Sequence, residues 1–127
     1  YKRQVLAGAA RVTLVESSKP ACADARQNLQ GVDASVVRSE FGRWDPGGTR
    51  VDLIVADPAR TGLGKPGVAA VERAAPDTLL LVSCDPGSLA RDVSLLGERG
   101  FRPSVVEVLD LFPETAHVEA VTLFEAE

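Results

Sequence analysis

The sequence predicts an α/β fold built on a doubly wound, mostly parallel sheet, with an antiparallel edge formed by its C-terminal strands. Short β-branched and apolar runs alternate with helix-like segments along most of the 127 residues, which is the pattern of β-α-β units. The last two apolar runs are separated only by residues 113–116, too few for a crossover helix, so these strands are expected to pair antiparallel. The length allows one domain and does not comfortably allow two.

The N-terminal elements are predicted from apolar periodicity and from residues that begin or end helices. Ser17 or Ser18 can cap a helix whose first turn accommodates Pro20, and Gly31 can end it. The predicted order is a strand over 11–16, a helix over 17–31, a weaker strand over 33–41 and a loop over 42–50.

The C-terminal elements are predicted in the same way. Leu89, Val93 and Leu96 recur at helical spacing, and Gly100 can end their helix. The predicted order is a strand over 51–58, a loop over 60–67, a helix over 68–75, a strand over 77–84, a helix over 87–100 and strands over 103–112 and 117–125.

Composition and charge narrow the class of protein. Apolar residues make up 45% and charged residues 25% of the chain, as in ordinary globular proteins. The net charge of −4 argues against a general nucleic-acid clamp, which would be basic, and no Lys or Arg follows Arg102. Any nucleic-acid partner is therefore expected to be held largely by regions outside this chain, or by a local patch.

Cysteine usage and the length of apolar runs bear on location and metal binding. The first ten residues do not read as a signal peptide, and the longest apolar run, Leu79–Val82, is too short to cross a bilayer. Cys22 and Cys84 lie far apart and the chain has one His, so a cytoplasmic protein with free thiols and without a metal site is expected.

Three chemically useful side chains close the three clearest parallel strands. Glu16 ends the first, Asp57 the second and Cys84 the third. Ligands of open parallel sheets bind outside the carboxyl ends of the strands, so these side chains are candidates for one site. Glu16 is either a ligand of ribose hydroxyls or a helix cap, and Asp57 is either a ligand or a turn former ahead of Pro58.

Cys84 also has two interpretations. As a small hydrophobic residue it would be buried at the end of its strand. As a nucleophile it would lie just before a helix start, where backbone N–H groups favour a thiolate, although the negative charge of Asp85 opposes one. The residues alone leave both interpretations open.

Three motifs carry a family resemblance. DPARTGL, VSCDPGSLARD and DLFPETAHVEAVTLFE, in this order, resemble the C-terminal catalytic domain of S-adenosylmethionine-dependent RNA uracil-5-methyltransferases, which form 5-methyluridine in transfer RNA and 23S ribosomal RNA. The resemblance covers about residues 12–125. It implies a Rossmann-like class I methyltransferase sheet, S-adenosylmethionine as cofactor and an RNA substrate. Residues 1–127 are then expected to be the N-terminally truncated catalytic domain.

The resemblance also implies roles for individual residues. Cys84 matches the nucleophile of the family's S-C-N-P motif, and Glu119 matches the general base of its H-V-E motif. Asp57 opens the D-P-A-R motif, which lies where cofactor and target base meet, and Arg60 is the arginine of that motif and an expected substrate contact. Glu16 matches the acidic residue that binds the cofactor ribose.

The implied chemistry needs these residue types. Carbon 5 of uracil is too weak a nucleophile to accept a methyl group unaided, and addition of a thiolate at carbon 6 activates it. A carboxylate must then remove the proton from carbon 5 so that the thiol can leave. His117 would share a strand face with Glu119 and is either a proton carrier or a local hydrogen-bonding residue.

The sequence also departs from the family pattern. In the family a first strand and a glycine-rich turn precede the strand predicted at 11–16, but residues 1–10 contain a single glycine. The sheet is therefore expected to lack that strand and turn, and the chain alone is expected to be inactive or weakly active. Asp85 stands where the family more often has Asn, and the polar contact after the third strand is either Arg38 or Ser39. The alternatives are a truncated, non-catalytic binding or scaffolding module, and a methyltransferase for another substrate in which Cys84 is structural.

Overall fold

The computed structural model describes residues 8–111 and 118–127. Contacts divide the chain into two compact units, Tyr1–Trp44 and Asp45–Glu127. The described strands form a two-stranded sheet in the first unit and a four-stranded sheet in the second. No helix within the described residues is long and apolar enough to cross a membrane.

The first unit is a β-α-β arrangement. Strands β1 (Val12–Glu16) and β2 (Ala34–Arg38) pair in parallel and are joined through helix α1 (Lys19–Asn28). Ser18 is the residue that caps α1, because its hydroxyl accepts a hydrogen bond from the Ala21 N–H at 3.4 Å. This finding resolves the choice between the two serines. The buried side of the helix consists of Cys22, Ala25 and Leu29.

One turn of 3₁₀ helix, Phe41–Arg43, follows β2, where the sequence predicts the end of a strand and a loop. The rings of Phe41 and Trp44 stack with their centroids 6.0 Å apart. This packing fits two aromatic residues that anchor a local turn.

The second unit contains a mixed sheet whose strand order is β3-β4-β6-β5. Strands β3 and β4 are parallel, and β6 is antiparallel to both of its neighbours, β4 and β5. The predicted antiparallel C-terminal pair is confirmed, and β6 lies between β4 and β5 so that β5 forms the edge. The elements of this unit are β3 (Leu53–Ala56), α2 (Gly64–Ala74), β4 (Thr78–Ser83), α3 (Pro86–Gly97), β5 (Phe101–Leu109) and β6 (Glu119–Ala126).

The core of the second unit lies on one face of this sheet. Leu79 and Leu81 of β4 and Phe124 of β6 are fully buried and share that face, because every second residue of a strand points the same way. Val71 of α2 and Leu96 of α3 are also fully buried. Each of these side chains contributes about 1.5–3 kcal/mol on burial.

The two bordering strands of the sheet, β3 and β5, carry exposed apolar side chains. Leu53 on β3 is 54% exposed and Val108 on β5 is 61% exposed. Exposed apolar side chains on bordering strands are surfaces on which another chain can pack.

Helix α2 begins at Gly64, four residues before its predicted start at residue 68. The residue at its N-cap, Leu63, makes no capping hydrogen bond with its side chain. The acceptor for the first N–H groups of α2 comes instead from α3, as described below. A cap supplied by a distant residue has no signature in the local sequence.

Candidate functional site

Cys84 is the first residue after β4 and is half-buried, so its thiol is not enclosed in the core. Burial alternates along β4, where Leu79, Leu81 and Ser83 are buried and the residues between them are partly exposed. Cys84 follows Ser83 and continues the partly exposed row. Cys22 differs, because it is fully buried and its thiol donates to the backbone oxygen of Glu16 at 3.2 Å.

Glu119 is the first residue of β6 and is half-buried. In the antiparallel register of β4 and β6, Ser83 lies opposite Ala120. Extending this register by one position places Cys84 opposite Glu119. Side chains at directly opposite positions of an antiparallel pair project to the same face with Cβ atoms about 4.5–5.5 Å apart. Cys84 itself is a bend residue one position past the end of β4, so the thiol and the carboxylate lie at the same end of the sheet.

Asp57 lies at the same end of the sheet. It is exposed and directly follows β3, which is parallel to β4, so both strands end at one edge. We call this edge, which carries Asp57, Cys84 and Glu119, the Cys84 end of the sheet. It is the region in which ligands of open α/β sheets bind.

Asp85 is the N-cap residue of α3, and its carboxylate accepts a hydrogen bond from the first turn of that helix. Its Oδ1 accepts a hydrogen bond from the Ser88 N–H at 2.7 Å, and its backbone oxygen accepts one from the Ser88 hydroxyl at 3.0 Å. The hydrogen bonds from Ser88 hold the pKa of Asp85 below its ordinary value, and the positive charge of Arg60 lowers the pKa further. The negative charge beside Cys84 is thus engaged with the helix start.

Arg60 is exposed and lies in the loop that follows Asp57. Its charge acts on Asp85, which adjoins Cys84 in sequence. A cation at this position can bind a phosphate oxygen or a base carbonyl. Asp57, Arg60, Cys84 and Glu119, all predicted from sequence, therefore belong to one region of the second unit.

A further acidic residue of this region was not singled out in the sequence. Asp92 on α3 is fully buried, and its carboxylate accepts hydrogen bonds from the N–H groups of Leu63 and Gly64. The sequence does contain a pattern that could have indicated Asp92. Ser88, Asp92 and Leu96 are spaced by four residues and share the buried side of α3. Leu89 and Val93, predicted to share a face with Leu96, are only half-buried. A charged residue on a buried helix face is rare and demands a partner.

Glu16 belongs to the first unit and closes β1. Its Oε1 accepts a hydrogen bond from the Ser18 N–H at 2.7 Å, which fixes the direction of the carboxylate. The Ser17 hydroxyl contacts the same oxygen at 3.5 Å. Both contacts are made to Oε1, and the second oxygen of a carboxylate can accept from a diol. A fixed carboxylate after a parallel strand fits the ribose of a nucleoside cofactor.

Arg38 closes β2, and Ser39 follows it. The Ser39 hydroxyl donates to the backbone oxygen of Glu40 at 3.0 Å, which is a local contact. His117 lies outside the described residues, so its role stays a prediction.

No protein-family model matches the chain. Among curated proteins it is similar to an uncharacterized RNA methyltransferase of Streptomyces coelicolor, with 41% identity over 116 residues that cover 87% of this chain and 25% of the relative. The chain thus spans about a quarter of the length of that curated relative.

Solved structures show the same fold. The chain is similar to Pyrococcus abyssi tRNA (uracil-54, C5)-methyltransferase, solved in complex with S-adenosyl-L-homocysteine, with a TM-score of 0.77, 33% identity and coverage of 90% of this chain and 28% of that one. The 23S rRNA methyltransferase ErmE matches in fold alone, with a TM-score of 0.74, 20% identity and coverage of 99% of this chain and 56% of that one. The fold is the α/β fold of class I methyltransferases, a mixed sheet with antiparallel C-terminal strands.

Proposed function

We propose that this chain is the C-terminal catalytic part of an RNA methyltransferase that transfers a methyl group from S-adenosylmethionine to carbon 5 of a uridine in transfer RNA or ribosomal RNA. The observation that carries the proposal is the position of Cys84 opposite Glu119 at the Cys84 end of the sheet. The RNA methyltransferase relatives and the fold support the coarser part of the proposal, the substrate class and the reaction.

In the proposed reaction Cys84 acts first. Its thiolate adds to carbon 6 of the uracil ring, and the electron pair of the ring double bond moves to form an enolate at carbons 5 and 4. Carbon 5 of this enolate then takes the methyl group. Cys84 is suited to this step because it is accessible and lies at a strand end, where a base can approach.

Glu119 completes the reaction. After methylation carbon 5 still carries its proton, and a carboxylate within reach accepts that proton. The electron pair of the broken carbon–hydrogen bond restores the ring double bond, and the Cys84 thiolate leaves. Because Glu119 lies at the same end of the sheet as Cys84, one bound ring can contact both residues.

S-adenosylmethionine, when bound, supplies the electrophilic methyl group. Glu16 would accept hydrogen bonds from its ribose hydroxyls, since its carboxylate is held at one oxygen by Ser18. Asp57 is the candidate at the junction of cofactor and target base, because it matches the aspartate of the family's D-P-A-R motif. Arg60 would contact the RNA.

The test is a covalent trap with the full-length gene product. RNA containing 5-fluorouridine should form an adduct that survives denaturation, because fluorine at carbon 5 cannot be removed as a proton is. Cys84→Ser should abolish the adduct, and Cys22→Ser, which alters a buried thiol elsewhere, should retain it. Methyl transfer to unmodified total RNA, with mapping of the modified position, identifies the target.

Three outcomes would contradict the proposal. Methylation of uridine that persists in Cys84→Ala would show that Cys84 is structural and that the enzyme uses another mechanism. A protein that binds RNA but transfers no methyl group to any base would favour the non-catalytic binding module. Methylation at a position other than carbon 5 would assign the fold to a different substrate.

A further inference from the structure

The buried carboxylate of Asp92 caps a helix other than its own. Its Oδ2 accepts a hydrogen bond from the Leu63 N–H at 2.6 Å, and its Oδ1 accepts one from the Gly64 N–H at 3.0 Å. These N–H groups belong to the start of α2, which has no capping side chain of its own. Asp92 therefore joins α3 to the end of the loop that follows β3.

Arg91 strengthens the same connection. Its Nη2 donates to Asp92 Oδ1 at 2.9 Å and to the backbone oxygen of Thr61 at 2.5 Å. The loop closes a turn in which the Gly62 N–H donates to the Ala59 oxygen at 2.8 Å, and Arg60 lies inside that turn. Two consecutive residues of α3 thus bond to three backbone positions, 61, 63 and 64, of the segment that follows Arg60.

The approach of Asp92 to this loop requires glycine at position 62. Gly62 has a φ of +70°, and a Cβ atom there would lie 2.3 Å from Asp92 Oδ2. A side chain at position 62 would therefore displace the carboxylate. The loop and the buried acid are complementary in shape as well as in charge.

The electrostatics explain why this connection is rigid. The Asp92 side chain is fully buried, and a buried carboxylate without partners costs several kcal/mol. Here the guanidinium of Arg91 and the N–H groups at the positive end of α2 compensate its charge. A shift of the loop would remove the two N–H partners of that charge and leave Arg91 alone to compensate it, so the buried charge favours the observed position of the loop.

We propose that Asp92 is a positioning residue, which holds the Ala59–Gly64 loop so that the guanidinium of Arg60 stays beside Cys84 and Asp85. The contacts show the hold of Asp92 on the loop, and the charge of Arg60 acts on Asp85, the residue after Cys84. The consequence for the target nucleotide, which would be drawn toward Cys84 by this cation, rests on the proposed function.

The test measures local charge at Cys84 without using enzyme activity. Iodoacetate and iodoacetamide attack the same thiolate and differ in charge, so the ratio of their alkylation rates reports positive potential at the sulfur. Peptide mass spectrometry of the full-length protein assigns the reaction to Cys84, since Cys22 is fully buried. Removing a nearby cation lowers this ratio, and for a unit charge assumed to lie about 6 Å from a thiolate in water the change is about threefold.

The variants are Arg60→Gln, Asp92→Asn and the double variant. We expect Arg60→Gln and Asp92→Asn each to lower the ratio about threefold. The double variant should show no further fall, because both changes remove the same cation from the thiol.

Arg91→Gln is the alternative variant if Asp92→Asn does not fold. Arg91 is half-exposed, and its replacement leaves the bonds of Asp92 to α2 intact, so it should lower the ratio by less. Glu72→Gln is the matched control, because it breaks an exposed ion pair between α2 and Arg99, which follows α3, and should leave the ratio unchanged.

Two results would overturn the inference. If Asp92→Asn and Arg91→Gln lower the melting temperature but keep the wild-type ratio, Asp92 serves only as a helix cap. If Arg60→Gln keeps the wild-type ratio, Arg60 does not lie beside the thiol. A failure of the 5-fluorouridine trap with the expected ratios would contradict the proposed function and leave the placement of Arg60 standing.

Discussion

Glu119 lies opposite Cys84 because Ala120 pairs with Ser83 where β4 ends and β6 begins. One residue follows a strand and the other opens the neighbouring strand, so 35 residues of sequence separate two side chains that lie at the same end of the sheet. This relationship depends on β6 lying between β4 and β5. In the proposed reaction the thiol acts before methylation and the carboxylate after it, so replacing each residue should have a different effect.

Replacing Glu119 by Gln should block the release step and spare the addition step. The amide cannot accept the proton at carbon 5, so a methylated RNA–protein adduct should accumulate on natural RNA. Turnover should fall about 10²- to 10⁴-fold. Denaturing gel electrophoresis with labelled RNA measures the adduct.

The matched control for Glu119 is Glu107→Gln. Glu107 is an exposed residue of β5 that lies opposite Val121, on the same face of the sheet. Its change should leave turnover and adduct level as in the wild type. An unaltered turnover in Glu119→Gln would assign the proton transfer to another group.

Replacing Glu16 by Gln should weaken cofactor binding. The carboxylate held by Ser18 would lose its charge, and hydrogen bonds to a charged acceptor contribute about 1.5–3 kcal/mol. Binding of S-adenosyl-L-homocysteine to the full-length protein, measured by calorimetry, should weaken about tenfold or more. Glu40→Gln, an exposed change in the same unit, should bind normally, and equal affinity in both variants would place the ribose elsewhere.

Asp85 should make stability depend on pH at the acid end. Because the pKa of Asp85 is lower in the folded chain than its ordinary value of about 3.9, the folded state binds its proton less tightly than the unfolded state does. Its contribution is therefore complete above about pH 5, declines as the pH falls and is lost below the folded pKa.

The measurement is the difference in unfolding free energy between the wild type and Asp85→Asn. Asn also caps helices, so the variant should fold. The wild type should be the more stable protein at neutral pH, and the difference should shrink as the pH falls from about 5 toward 2. Asp24→Asn, on the exposed side of α1, provides the reference. A difference that does not change with pH would mean that the cap works without its charge.

Ala75 should be replaceable by glycine with a gain in stability. It ends α2 in the left-handed region, with φ 42° and ψ 55°, and its side chain is exposed. This conformation costs a residue with a Cβ about 1–2 kcal/mol. Glycine removes that cost, but its greater conformational entropy in the unfolded chain offsets part of the gain. Ala75→Gly should therefore raise the unfolding free energy by about 0.5–1 kcal/mol.

The neighbouring residue provides the opposite case. Ala74 is helical and buried, so Ala74→Gly should lower the unfolding free energy by about 1 kcal/mol. Urea denaturation of both variants measures the pair. A loss of stability in Ala75→Gly would show that the backbone at position 75 is not strained.

Much of the architecture could be predicted from local signals. Apolar runs located the six strands of the described residues, because this signal lies within the element that it describes. Helix-starting residues located α1, and helical spacing with a terminal glycine located α3. The short separation of the last two strands predicted their antiparallel pairing, since chain length alone excludes a crossover. Asp57 and Cys84 were singled out as candidates because they close predicted strands, and Glu119 because of the family resemblance, so their roles stay predictions.

Strand order, the start of α2 and the role of Asp92 were not predictable in this way. Each depends on contacts between residues far apart in the chain, such as the bond of Asp92 to Leu63, 29 residues away. A local pattern marks Asp92 as a polar residue on a buried helix face, but it does not say which groups compensate its charge.

The sequence by itself determined which side chains are available for chemistry and at which strand ends they lie, because secondary structure follows from nearest-neighbour patterns. Only the tertiary structure decided that β6 inserts beside β4 and brings a carboxylate opposite the thiol, and that a buried acid on α3 holds the loop of Arg60. The physical reason is that strand pairing and the burial of a charge depend on hydrogen bonds and charge compensation between residues that are distant in the sequence. Only the folded structure shows which of these residues meet.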